Sequence, residues 1–139
     1  MNKIILAYNF TEARMRSLRV LCAMLKVQVR TVAKADMLQP VGYLLGLEGI
    51  AACEEKFSGA GCAEEMILMC GFDKLLLNRF LSSVKKSKLG SIKLKAMLTA
   101  HNVAWSGKRL QEELREENAY MEKRGTLSFH VADADVEKN

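Results

Sequence analysis

Ile4-Ile5-Leu6-Ala7-Tyr8-Asn9-Phe10-Thr11 and, sixty-two positions later, Met66-Ile67-Leu68-Met69-Cys70-Gly71-Phe72-Asp73 are one pattern written twice. Each copy begins with an apolar run that does not alternate, which predicts a strand covered on both faces. An aromatic follows, then Thr11 or Asp73, whose side-chain oxygen suits the first position of a helix. Downstream, Met15, Leu18, Leu21, Cys22 and Leu25 in one copy and Leu76, Leu77, Phe80, Leu81 and Val84 in the other recur at helical spacing. Lys85, Lys86 and Lys88 sit where positive charge complements a helix C-terminus, and Gly90 is read as the stop. Each unit ends in a strand that alternates, over 27–32 and 92–98, turning Gln28, Arg30, Lys93 and Lys95 toward water. Alternation with charged residues is the mark of an edge strand.

Two apolar central strands and two alternating edge strands, joined within each unit by a helix, predict an α+β fold. The arrangement that fits is a duplicated βαβ, ferredoxin-like four-stranded sheet with two packed helices plus a long C-terminal helix. A four-stranded parallel sheet is the alternative, and the exposed lysines of the returning strands speak against it. We expect one domain over 1–124, made of repeats 3–47 and 65–124 joined by loop 48–64. Residues 125–139 form a tail, in which 126–131 alternate as a short strand would and the end frays. The long helix is expected over about 103–124, with Val103, Leu110, Leu114 and Met121 facing inward and a Glu-rich outer face.

With 139 residues, half of them apolar and 27% charged, the chain has the composition of a folded domain that needs no metal or disulfide. The first residues lack the apolar stretch of an export signal, and no run is long enough to span a bilayer, so the cytoplasm is the expected location. Cys22, Cys53, Cys62 and Cys70 are accordingly read as reduced thiols. Charge is uneven: residues 1–110 carry 17 Lys and Arg against 8 Asp and Glu, whereas 111–139 carry 4 against 8. A basic body with an acidic end can attract nucleic acid, or satisfy itself internally or across a dimer.

The pieces, taken in order, are familiar. Gln39-Pro40-x-Gly42 with Leu45-Gly46, a strand ending Gly71-Phe72, Leu94-Lys95-Ala96-x-Leu98-Thr99-x-x-Asn102-x-x-Trp105, and then a Glu-rich helix resemble the bacterial domains of unknown function in the family numbered 3783. The resemblance spans roughly residues 3 to 122. Ala100 and His101 depart from it, since the family commonly has proline and threonine there. It supports the architecture and implies no activity.

The best local candidate for a ligand is Thr99, His101, Asn102, Trp105 and Ser106, where hydroxyl, imidazole and amide groups meet a helix N-terminus able to hold a small anion. The structural alternative is that Asn102 caps the helix and Trp105 packs on the core. The corner 36–42 of the first repeat is expected to lie near that loop. No catalytic residues, metal ligands or cofactors are expected: a G-x-S-x-G elbow, a phosphate loop and a Cys-x-x-Cys pair are all missing. Arg14, Arg16, Arg19, Lys26 and Arg30, or Lys85, Lys86, Lys88, Lys93 and Lys95, offer a basic surface for phosphates. Only Tyr8 lies within the central strands as an aromatic on which a base could stack, so nucleic acid is the less favoured partner.

One face of the sheet poses a difficulty. With helices on one side only, Ile5, Ala7, Ile67 and Met69 would meet water, so the 37–65 segment, the long helix or a second copy must cover them. The reading is thus a non-enzymatic interaction or small-ligand-sensing module acting as a homodimer. A basic nucleic-acid-associated protein is the alternative.

Overall fold

The hydroxyl of Thr11 accepts the Arg14 N–H at 3.3 Å, and the carboxylate of Asp73 accepts the Leu76 N–H at 2.8 Å, so both expected caps start helices. The protein was analysed as a computed structural model, which describes residues 2–59 and 63–123, with side chains to residue 118. Its elements are β1 (Ile4–Tyr8), α1 (Glu12–Met24), β2 (Gln28–Val32), a 3-10 turn (Lys34–Asp36), α2 (Val41–Leu44), β3 (Met66–Cys70), α3 (Lys74–Lys86), β4 (Leu94–Met97) and α4 (Gly107–Lys123). The duplication extends to backbone detail. Asn9 and Gly71, at the same position of the two repeats, both adopt left-handed φ, 65° and 81°. At Gly71 a Cβ would stand 2.4 Å from the Asn2 carbonyl oxygen, so only glycine fits; Asn9, whose short amide tolerates this region, is the other residue suited to it.

The sheet is mixed, in the order β2-β1-β3-β4, with β1 parallel to β2, β3 parallel to β4, and β1 antiparallel to β3. This corrects the ferredoxin-like expectation, and the all-parallel alternative with it. In a split βαβ plan each returning strand lies beyond a strand of the other repeat; here each repeat closes on its own neighbour. The central and edge positions are the same in both plans, so the apolar and alternating patterns could not tell them apart. The connection between repeats decides. Val32, Tyr8 and Met66 stand side by side, so the chain leaving β2 must cross β1 to begin β3. Two strand spacings of about 4.8 Å are too far for a hairpin turn, and residues 33–65 make the crossing.

That crossing covers the second face. Ile4, Leu6, Tyr8, Met66, Leu68 and Cys70 pack against Met37, Val41 and Leu45 from the connection and Leu110 and Leu114 from α4. Ile5, Ala7, Ile67 and Met69, expected to lie bare, instead sit under α1 and α3 with Leu18, Leu21, Phe80 and Val84. The face that needs covering beyond α1 and α3 is thus that of Ile4, Leu6, Tyr8, Met66, Leu68 and Cys70, and both faces are filled by the chain itself. Phe72 meets Phe80 edge to face at 5.8 Å, a favourable aromatic geometry.

The connection is pinned by a two-way bond, Gln39 Nε2 donating to the Cys53 carbonyl at 2.8 Å and the Cys53 N–H to Gln39 Oε1 at 2.9 Å. Its described part beyond α2 has no helix or strand before β3. α4 starts at Gly107 rather than Val103, because residues 99–105 are occupied by turns. α3 ends at Lys86, with Ser87 as its cap, ahead of Gly90. The tail 125–139, its proposed strand included, lies outside the described residues.

Candidate functional site

The loop from Thr99 to Ser106 joins β4 to α4, and its polar atoms are turned on one another. Asn102, 1% exposed, accepts the Thr99 N–H through Oδ1 at 2.9 Å and donates through Nδ2 to the Met97 carbonyl at 3.0 Å. The Thr99 hydroxyl accepts the N–H groups of His101 and Asn102 at 3.1 and 3.0 Å. Ser106 caps α4, its Oγ accepting the Arg109 N–H at 3.1 Å. Trp105 packs its ring on the core, and the Arg109 guanidinium lies over it, 4.2 Å from the ring centroid. His101 is exposed. The five expected residues do gather at one corner, but the hydroxyls and the amide serve the turn itself.

The corner of the first repeat meets this loop, as expected. Val41 and Gly42 donate their N–H groups to the carbonyls of Trp105 and Val103 at 2.9 and 2.8 Å, and Pro40 bridges to Ser106. Beneath it Tyr8 touches Gly107 so closely that a Cβ there would fall 2.5 Å from the ring. Among the described residues the Tyr8 hydroxyl and Gln111 Oε1 are buried without a hydrogen-bond partner. Burial, followed by the nearby Asp36 carboxylate, pushes the Tyr8 phenol above its ordinary range, so it stays protonated.

Neither Cys22 nor Cys70 is an activated nucleophile. Burial pushes Cys22 up to about 12 and raises Cys70 as well, the opposite of what a reactive thiolate needs. Among the described residues no group of three or more His, Cys, Asp and Glu is placed to hold a metal ion, and no helix is long and apolar enough to cross a membrane.

The basic residues divide into two sets. Arg14 is committed: its guanidinium forms a bidentate pair with Glu65 and donates to the carbonyls of Leu89 and Ser91 at 3.2 and 2.8 Å, tying α1 to the start of β3 and to the loop between α3 and β4. Arg19 bonds the Thr31 hydroxyl, Arg30 the Leu44 carbonyl, and half-buried Lys95 the Ile92 carbonyl. Lys93 and Arg115 pair with Glu64, whose carboxyl is held below its usual range, chiefly by the hydrogen bond from Arg115. Arg16, Arg79, Lys86 and Lys88, by contrast, make no side-chain hydrogen bond or ion pair among the described residues.

Those four free cations line one open groove of about 1100 Å³ between α1 and α3, and no carboxylate lines it. Because β1 and β3 are antiparallel, the two helices that follow them run antiparallel as well. Ala13 and Ser17 on α1 and Ser82 and Ser83 on α3 are among its lining, and such short side chains leave the outer surface of the helix pair low. Leu21 and Leu25 contribute an aliphatic floor, while Val20 and Met24 on the wall are 63% and 78% exposed. Sequence reading named Arg16, Lys86 and Lys88 among the basic residues but missed that they converge, and it missed Arg79. The available signal was Ala13 and Ser17 four apart on α1 together with the Ser82-Ser83 pair on α3.

No curated protein and no solved structure matches the chain. Residues 65–121, from just before β3 into α4, match the model of the family described as Domain of unknown function (DUF3783), so the second repeat, with the 99–106 loop and the α3 wall of the groove, is similar to that family over a shorter span than the sequence had suggested.

Proposed function

We propose that the protein is a non-enzymatic binding module that takes an anionic partner along the groove between α1 and α3. The observation that carries this reading is the set of four uncompensated cations, Arg16, Arg79, Lys86 and Lys88, on one groove without a carboxylate. Positive charges gathered without counter-charge repel one another, and an anion relieves that repulsion. The reading keeps the interaction role expected from the sequence and moves its surface away from residues 99–106, where the polar groups are already bonded to each other. Non-enzymatic action fits the Cys22 and Cys70 thiols, which burial holds protonated.

A symmetric dimer through this groove would set one cationic surface against another, which like-charge repulsion disfavours. A homodimer would have to be built on another surface, such as the outer edges of β2 and β4.

Binding of a fluorescent polyglutamate peptide, followed by anisotropy over a range of salt concentrations, tests the proposal. We expect affinity that falls steeply with added salt and is lost in the double variant Arg79→Glu and Lys86→Glu. Undiminished binding by that variant, or none by the parent protein at low salt, contradicts it.

A further inference from the structure

We infer that the partner is an acidic amphipathic helix of another protein, laid lengthwise along the α1–α3 groove; the inference rests on the anion-binding reading above. The first argument is shape. α1 and α3 each have 13 residues, so the groove is about 20 Å long at 1.5 Å per residue, the length of a third helix of three to four turns. Its volume of about 1100 Å³ lies in an open trough, beyond the roughly 300–1,000 Å³ of pockets that enclose a small molecule. An antiparallel helix pair with a trough along its outer surface presents the ridges and grooves on which another helix seats.

The second argument is chemistry. Exposed Val20 and Met24 leave aliphatic surface in water that an apolar stripe would cover. Arg16 on one wall and Arg79 and Lys86 on the other then stand beside the flanks of that stripe, where aspartate and glutamate would meet them. A nucleic acid offers phosphates but no aliphatic stripe, and its bases seek aromatic platforms; no aromatic lines this groove. The described acidic face of α4, with Glu112, Glu113 and Glu116, carries no exposed apolar residue to fill the floor, so a second copy would not seat by that face.

Three labelled probes separate the possibilities by anisotropy: a helical peptide of about 14 residues with leucines on one face and glutamates beside them, the same residues scrambled so that the leucines are dispersed, and a single-stranded oligonucleotide of equal charge. The expected result is that the amphipathic peptide binds about tenfold tighter than the scrambled one. Val20→Asp and Met24→Asp should each abolish that preference while circular dichroism and Tm stay those of the parent, since both side chains are exposed. Equal binding of the scrambled peptide overturns the helix and leaves the anion groove standing. Tighter binding of the oligonucleotide overturns it in favour of a nucleic acid. Failure of all three probes at low salt removes the helix and the anion groove together.

Discussion

The 99–106 loop and the α1–α3 groove contain similar chemical groups in opposite states. In the loop, Thr99, Asn102 and Ser106 are each bonded to a nearby backbone group, and the loop is thereby fixed. In the groove, the side chains of Arg16, Arg79, Lys86 and Lys88 have no partner among the described residues and lie around exposed aliphatic surface. A polar residue consumed by its own fold contributes stability, whereas one left over is available to a ligand. The two regions should therefore answer substitution in opposite currencies.

Asn102→Ala is expected to do the most damage, because it strips the Thr99 N–H and Met97 carbonyl of their partners inside the protein. A loss of about 3 kcal/mol, from two buried bonds and the groups left unpaired, should be read from urea denaturation; a loss below about 0.5 kcal/mol, the range of ordinary surface changes, would mean that the loop is no brace. Gly107→Ala comes next. The added methyl drives into the fully buried Tyr8 ring, an overpacking that costs about 2 kcal/mol and lowers Tm.

A smaller effect is set by Glu64. Its folded-state pKa lies below its unfolded value, so its stabilisation is complete above the unfolded carboxylate value of about 4.3 and is lost as pH falls through the folded pKa. Denaturation midpoints measured in steps from pH 6 to pH 3 should fall at the acid end, and Glu64→Gln should flatten part of that fall. Smallest of all, Met24→Asp and Lys86→Glu are expected to change stability by less than about 0.5 kcal/mol, although the same changes weaken anion binding. A large loss of Tm in either variant would show that the groove residues are structural after all and erase the contrast.

How much of this was legible in the sequence depends on the range of the interaction. Ile4–Tyr8 and Met66–Cys70 announced central strands because burial on both faces leaves an uninterrupted apolar run, and the Thr11 and Asp73 caps are bonds across three residues. Strand order was not written in those runs: β2 and β4 carry edge residues whichever neighbour they join. The length of 33–65 held that information, since only a long segment can cross β1 and also bury Leu6 and Leu68. The face of each residue was misassigned because alternation inside an all-apolar strand has no polar reference. As for the site, the identities of Thr99, Asn102 and Trp105 suggested chemistry, but whether their atoms were already bonded depends on the turn that they form. The groove was hidden for a related reason. Ser17 and Ser82 are unremarkable apart, and they open a trough only when sixty-odd residues of chain set α1 beside α3.

Amide chemical-shift mapping of the uniformly labelled protein with a polyglutamate peptide at low salt tests the central claim most directly. The account predicts that the largest shifts fall on residues 13–25 and 78–88, that they fade together as salt is added, and that residues 99–106 stay in place. Shifts centred on residues 99–106, with α1 and α3 unmoved, would contradict it.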